Sequence, residues 1–124
     1  MNKLISLARN VLLYTNSQHI SFLVKNKKCN QIICFGINNK RKTDPLANKY
    51  GYRFSCVHSE VACIKLFPYP PSKLSQHIMI NIRIMADGSI GMSKPCKICQ
   101  KLLKDFGIQK VYYTNRSGKF ELLN

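Results

Sequence analysis

The feature that most constrains the fold of this chain is a pair of short motifs that lie far apart in sequence. His58–Glu60 (H-S-E) is followed 35 positions later by Pro95–Cys99 (P-C-K-I-C). One imidazole and two thiolates form a soft three-ligand set that suits zinc and leaves a fourth position open for water. A fold that uses this set must bring two distant segments together.

The spacing within each motif supports a shared site. Cys96 and Cys99 are three residues apart at a predicted helix start, so both sulfurs lie on one face, where exposed amides favour thiolates. Glu60, two residues after His58, is near enough to exchange protons with a water without serving as a ligand. A closed structural site remains the alternative, with Cys56 or Cys63 as the fourth ligand.

The pattern H-x-E…P-C-x-x-C resembles the cytidine and deoxycytidylate deaminase superfamily of zinc enzymes, and the resemblance extends over nearly the whole chain. It implies one zinc ion per chain, held by His58, Cys96 and Cys99. It also implies that Glu60 takes a proton from water and passes it to the ring nitrogen of a nucleobase. Hydroxide then attacks the carbon that bears the amino group, and Glu60 protonates the departing ammonia.

Hydrophobic periodicity predicts a single domain over residues 1–124, with alternating helices and strands. The predicted elements are a helix over 2–14, a hairpin of strands 20–24 and 31–37, a helix from near Cys56 to before Pro68, a strand over 78–85, a helix opened by Pro95 and closed by Gly107, and strands 111–113 and 119–123. In the family, this order implies an α/β fold, a three-layer α/β/α sandwich with a mixed five-stranded sheet.

The last two strands carry a further constraint. Only residues 115–118 separate them, too few for the crossover that a parallel pair needs, so we expect them to run antiparallel. This ending is similar to that of the cytidine deaminase branch. The branches that act on tRNA, single-stranded DNA and deoxycytidylate usually place a helix there and end parallel.

Three residues are candidates for substrate contacts. Asn38 ends a segment that resembles the family's strand-end Gly-x-Asn, whose Asn binds the sugar or base; the alternative is an Asn that only adopts a turn. Lys40 stands where cytidine deaminases have an acidic ribose ligand, and Gln100 where an Arg is frequent. Lys40 and Arg41 lie in the loop between Asn38 and His58 and are predicted to bind a nucleotide phosphate. The alternatives are that this loop presents an unpaired base from a strand, or that it is a solvated loop with no binding role.

The leading hypothesis is therefore a zinc-dependent hydrolase that deaminates a cytosine nucleoside or nucleotide. The net charge of +15 favours a second hypothesis, a cytosine or adenine deaminase acting on RNA or single-stranded DNA. A third is a non-catalytic zinc domain that binds nucleic acid. The charge is spread along the chain, and an A/T-rich gene would raise lysine content without any such function. Family relatives commonly build pockets across subunits, which implies a homo-oligomer.

Composition also predicts the compartment. No apolar run approaches the roughly 18 residues of a membrane helix, and polar residues interrupt the N-terminal segment, which argues against a signal peptide. Six cysteines are present, but two belong to the motif and the spacings match no secreted scaffold. We therefore expect an intracellular, cytoplasmic protein in a reducing environment, with no membrane partner.

Overall fold

The computed structural model describes residues 2–11, 18–25, 28–38 and 58–123. In chain order the elements are α1 (Asn2–Val11), β1 (Gln18–Lys25), β2 (Lys28–Ile37), α2 (Ser59–Lys65), a 3-10 helix (Pro71–Gln76), β3 (His77–Ile84), β4 (Ile90–Gly91), α3 (Lys97–Asp105), β5 (Lys110–Thr114) and β6 (Phe120–Leu122). The predicted alternation of helices and strands is confirmed, and the fold is α/β.

The strands form one mixed, open sheet in the order β2-β1-β3-β5-β6. β1 and β2 form the predicted antiparallel hairpin, β3 and β5 are parallel, and β5 and β6 are antiparallel as expected from their short connection. Among the described residues the sheet has six strands rather than the predicted five, because β4 pairs with the end of β3. β4 has only two residues, which is too short for periodicity to reveal.

Two predicted helix starts need correction. The backbone of His58 is extended, with φ −74° and ψ 151°, so α2 begins at Ser59 rather than near Cys56, which lies outside the described residues. α3 begins at Lys97, and Cys96 rather than Pro95 opens it. The reason is that the Cys96 sulfur accepts a hydrogen bond from the Cys99 amide at 3.5 Å and so caps the helix.

The predicted end of α3 is confirmed. Gly107 has φ +85°, a conformation that L side chains rarely adopt. Its amide donates to the Lys104 carbonyl, and the next amide, of Ile108, donates to the Leu103 carbonyl, both at 3.0 Å. This is the Schellman arrangement, which satisfies the last helical carbonyls and turns the chain into β5.

The side chains of β3 divide between two cores, as their alternation predicts. One core combines α1 with the isoleucines of β3 and the inward side chains of β1; its buried members are Leu4, Ile5, Ala8, Ile20, Phe22, Val24, Ile78, Ile80, Ile82 and Ile84. The other combines α2 and α3 with the opposite side chains of the strands; its buried members are Leu23, Val61, Cys63, Ile64, Leu74, Met79, Leu102, Leu103, Ile108 and Val111.

α2 lies unusually close to β2, and a glycine makes this possible. A Cβ at Gly36 would lie 2.6 Å from the Ala62 carbonyl carbon and 2.7 Å from the Ser59 carbonyl oxygen, well inside normal contact. A glycine within a strand commonly marks such a close backbone approach. Gly36 therefore sets the depth at which α2, and with it Glu60, sits on the sheet.

In the described part of the chain, every helix is too short or too polar to cross a lipid bilayer.

Candidate metal centre and its buried carboxylate

The structure brings His58, Cys96 and Cys99 together. The Nδ1 atom of His58 lies 3.5 Å from the Cys99 sulfur and 4.0 Å from the Cys96 sulfur. All the candidate ligand atoms lie within 4.8 Å of one another. Ligands at about 2.0–2.3 Å from one tetrahedral zinc ion are separated by similar distances. The three residues can therefore hold a metal ion, and their chemistry is compatible with zinc.

Two element boundaries create this cluster. His58 precedes α2 in extended conformation, and Cys96 precedes α3, so both side chains project from helix starts. Cys99 lies in the first turn of α3 and is fully buried, whereas Cys96 is exposed. Without metal, the hydrogen bond with Cys96 raises the pKa of His58, against the opposing effect of burial.

Glu60 lies beside this cluster but is not part of it. Its side chain is 6% exposed, and burial raises the pKa of the carboxyl group above its ordinary value. Ser59 Oγ donates to Oε1 of the carboxylate, and Asn81 Nδ2 donates to Oε2, each at 3.1 Å. Both carboxylate oxygens are thus held in place by neighbouring side chains.

Glu60 belongs to a buried polar network that reaches across three strands. We use this name for six side chains: Ser21, Ser59, Glu60, Asn81, Ser93 and Thr114. Ser21 Oγ contacts Ser59 Oγ at 2.8 Å and donates to Asn81 Oδ1 at 2.7 Å. Ser93 Oγ contacts Thr114 Oγ1 at 2.8 Å and donates to the Asn81 carbonyl at 2.8 Å. Buried polar groups are costly unless bonded in this way.

The number of hydroxyl protons in this network matters for the role of Glu60. Three oxygen–oxygen contacts run from Glu60 through Ser59 and Ser21 to Asn81. Two serine hydroxyls supply only two protons for these contacts while the carboxylate is ionised. A proton on Oε1 of Glu60 supplies the third, with Ser59 then accepting from Glu60 and donating to Ser21. The network therefore accommodates a proton on Glu60 without losing a contact.

The cysteine alternatives for a fourth ligand are partly resolved. Cys63 faces β2, with its sulfur 3.9 Å from that of Cys34, and among the described residues it is not part of the metal-ligand group. Burial raises the pKa of the Cys63 thiol well above its usual value, which disfavours the thiolate that a metal requires. Cys63 is therefore a core residue, and Cys56 lies outside the described residues.

The predicted substrate contacts lie partly beyond what the structure describes. Asn38 Oδ1 accepts a hydrogen bond from the His19 amide at 3.0 Å, so its carbonyl extends the pairing of β1 and β2. Lys40 and Arg41 lie outside the described residues, as does the rest of the loop between Asn38 and His58. Gln100 donates to the Pro95 carbonyl at 2.8 Å and so braces the segment before Cys96.

Sequence reasoning did not identify the partners of Glu60. The alternation of β3 placed Asn81 opposite the isoleucines, but gave it no role. The available signal was a polar amide at the centre of an otherwise apolar strand, because such a residue is rarely buried without bonded partners. The serine partners carried no signal, since serine is common on every kind of surface.

No model of a known protein family matches the chain, and no curated protein is significantly similar to it.

Proposed function

We propose that this protein is a zinc-dependent hydrolase that removes the exocyclic amine of a cytosine nucleoside or nucleotide. The observation that carries the proposal is a three-residue metal-ligand group beside a buried, doubly hydrogen-bonded carboxylate. Three protein ligands leave a coordination position open, which is typical of catalytic rather than structural zinc sites. We further propose one zinc ion per chain and the three-layer α/β/α sandwich of the deaminase superfamily.

The chain's own residues have distinct tasks in this proposal. When bound, zinc supplies Lewis-acid activation of water. Glu60 would accept a proton from the attacking water and deliver it to the ring nitrogen. It would then take the proton of the hydroxyl group added to the ring and deliver it to the leaving amine, so that cytosine and water become uracil and ammonia. Burial favours the neutral form of Glu60, and Ser59 and Asn81 hold its carboxylate while it alternates between base and acid.

Monomeric substrates are the first choice because of the antiparallel ending of the sheet. Only a turn joins β5 to β6, and Asn115 Oδ1 accepts hydrogen bonds from the amides of Ser117 and Lys119, both at 3.0 Å. The described chain therefore has no helix at this place, which is similar to the cytidine deaminase branch of the resembled family. The branches that act on tRNA, single-stranded DNA and deoxycytidylate usually carry a helix there. Lys40 and Arg41 remain the proposed phosphate contacts of a nucleotide substrate.

One observation favours a polynucleotide substrate as the second candidate. Lys97, Lys101 and Lys104 recur at helical spacing and are exposed along α3, the helix that carries Cys99. A row of lysines beside a nucleobase site would attract a phosphate backbone. The same row is also compatible with a solvated helix surface, so binding to a strand does not by itself identify the substrate.

The test is catalysis on a panel of substrates. Ammonia release is measured for cytidine, deoxycytidine, their monophosphates, and oligonucleotides containing cytosine or adenine, at low and at near-physiological salt. We expect turnover of monomeric cytosine substrates that persists at the higher salt. Turnover confined to oligonucleotides would replace the leading proposal by the second one, and no turnover by zinc-loaded protein would favour the non-catalytic domain.

A further inference from the structure

Asn81 connects parts of the chain that are remote in sequence. Its side chain is 1% exposed at the centre of β3. Nδ2 donates to Glu60 on α2 at 3.1 Å and to the backbone carbonyl of Ser93, three residues before Cys96, at 3.4 Å. One side chain thus contacts both the candidate proton shuttle and the segment that leads into the cysteine motif.

The orientation of the Asn81 amide is determined by its partners. The Ser93 carbonyl can only accept, so the amide must present its NH₂ group to it and to Glu60. The opposite atom, Oδ1, accepts from Ser21 Oγ on β1 at 2.7 Å. All the polar atoms of this side chain are used, which leaves it one low-energy orientation.

The position of Asn81 also argues against a role in stability alone. Its strand neighbours Met79, Ile80 and Ile82 are fully buried and apolar. Apolar residues at position 81 and at its polar partners would serve the core as well, because replacing a complete buried polar cluster by apolar groups is often neutral or stabilising. We therefore attribute the buried amide of Asn81 to the two groups that it holds in place, the Glu60 carboxylate and the Ser93 carbonyl.

We propose that Asn81 is a positioning residue, which fixes the Glu60 carboxylate relative to the metal-ligand segment. It acts through Glu60 and does not touch the substrate, so its catalytic consequence rests on the function proposed above. Loss of the Asn81 side-chain amide removes the hydrogen bond to Oε2 of Glu60. It also removes the connection between Glu60 and the segment at Ser93. We expect the metal ligands themselves to keep their places, because the hydrogen bonds of the Asn81 side chain go to Ser21, Glu60 and Ser93.

The test compares Asn81→Leu, which keeps the branched shape but removes every polar atom, with two other variants. Ser21→Ala removes the anchor of Oδ1, and Met79→Leu is the control on the same strand and the same face. Zinc content, thermal unfolding, kcat and KM are measured for each, and the Ser21→Ala/Asn81→Leu double variant completes a cycle.

We expect Asn81→Leu to lower kcat on the order of 100-fold, as for a displaced catalytic group, with zinc content and KM nearly unchanged. Ser21→Ala lowers kcat less, and its effect is smaller in the Asn81→Leu background, because Ser21 acts partly through the Asn81 amide and partly through Ser59. Met79→Leu remains near wild type.

An Asn81→Leu variant with wild-type kcat would overturn the assignment. So would loss of zinc or of the fold, because Asn81 would then be a structural residue. If the wild-type protein deaminates no substrate, the proposed function fails, and a crystal structure of zinc-loaded Asn81→Leu still decides the positioning role. A Glu60 carboxylate that has moved supports it, and one that has not moved refutes it.

Discussion

The face of the sheet that packs against α1 carries an apolar core, whereas the face beneath α2 carries buried polar side chains at its centre. Against α1, the strands present isoleucine, phenylalanine and valine side chains that are almost fully buried. Beneath α2, Ser21 and Asn81 of the central strands are equally buried but bonded to Ser59 and Glu60. The same two strands, β1 and β3, therefore serve both purposes through the alternation of their side chains.

This difference separates stability from chemistry within one sheet. The apolar face contributes free energy of folding in proportion to its buried area. The polar face buries less apolar area at Ser21 and Asn81 and so contributes less of this free energy there, but its side chains hold the Glu60 carboxylate next to the candidate metal ligands. We therefore expect substitutions on the apolar face to change stability without affecting the site, and substitutions of Ser21 and Asn81 on the other face to change the site more than the stability.

Removal of a metal ligand should have the largest effect. We expect Cys99→Ala to lose zinc and all turnover, and to unfold at a lower temperature, because metal binding contributes to the free energy of folding. The measurements are zinc per chain and thermal unfolding with and without a chelator. Cys34→Ala, which removes a thiol outside the site, should keep its zinc. If Cys34→Ala or Cys63→Ala lost zinc as completely, the assignment of ligands would be wrong.

Among the substitutions that leave catalysis intact, one on the apolar face should have the largest effect on the free energy of unfolding. Ile80 is fully buried among the side chains that contact α1. Ile80→Ala should lower the free energy of unfolding by about 2–5 kcal/mol, through lost burial and a residual cavity. Denaturant unfolding measures this, and kcat of the folded fraction should match wild type. A fall in kcat as large as that expected for a substitution in the site would contradict the expectation that the face against α1 affects only stability.

Gly36→Ala should affect both properties, because it changes the depth of α2. The added methyl group would collide with the backbone of α2, and we expect a loss of about 1–3 kcal/mol in unfolding free energy. Because Glu60 moves with the helix, kcat should fall as well while zinc is retained. Denaturant unfolding and steady-state kinetics on one preparation test this. An unchanged unfolding midpoint would mean that the backbone of α2 leaves room for a methyl group at position 36 of β2.

The outer end of the buried polar network should matter least. Thr114 Oγ1 donates to the Gly91 carbonyl at 2.8 Å and contacts Ser93 Oγ. Ser93 is itself connected to Glu60 only through Asn81, by two successive hydrogen bonds. Thr114→Val should cost about 1 kcal/mol of unfolding free energy, with little change in kcat. Thr114→Ser keeps the hydroxyl and is the matched control. A large fall in kcat for Thr114→Val alone would extend the functional part of the network to β5.

Sequence patterns predicted the apolar face and the metal ligands better than they predicted the polar network. Alternation along β3 placed Ile80 and its neighbours correctly, because burial on one face imposes a period of two. The H-S-E and P-C-K-I-C motifs predicted which side chains meet, because ligand types and spacing are fixed by metal chemistry. By contrast, β4 was missed because two residues carry no period.

The partners of Glu60 depend on register rather than on local pattern. Ser21 pairs with Asn81 across β1 and β3, and only this register brings the two side chains together beneath Ser59. Likewise, the start of α3 was misplaced because a thiol at Cys96, rather than the proline before it, caps the helix. Tertiary hydrogen bonds such as those of Ser21 with Ser59 and Asn81 leave no trace in a single sequence.

The central claim is that Glu60 moves protons for a deamination at a metal that it does not bind. Its direct test is ammonia release from cytosine nucleosides and nucleotides by wild-type protein and by Glu60→Gln, each carrying one zinc per chain. We predict turnover by the wild type, and a rate lower by roughly 10²–10⁴-fold in Glu60→Gln with its zinc retained. Equal rates in the two proteins, or loss of zinc from Glu60→Gln, would contradict the account.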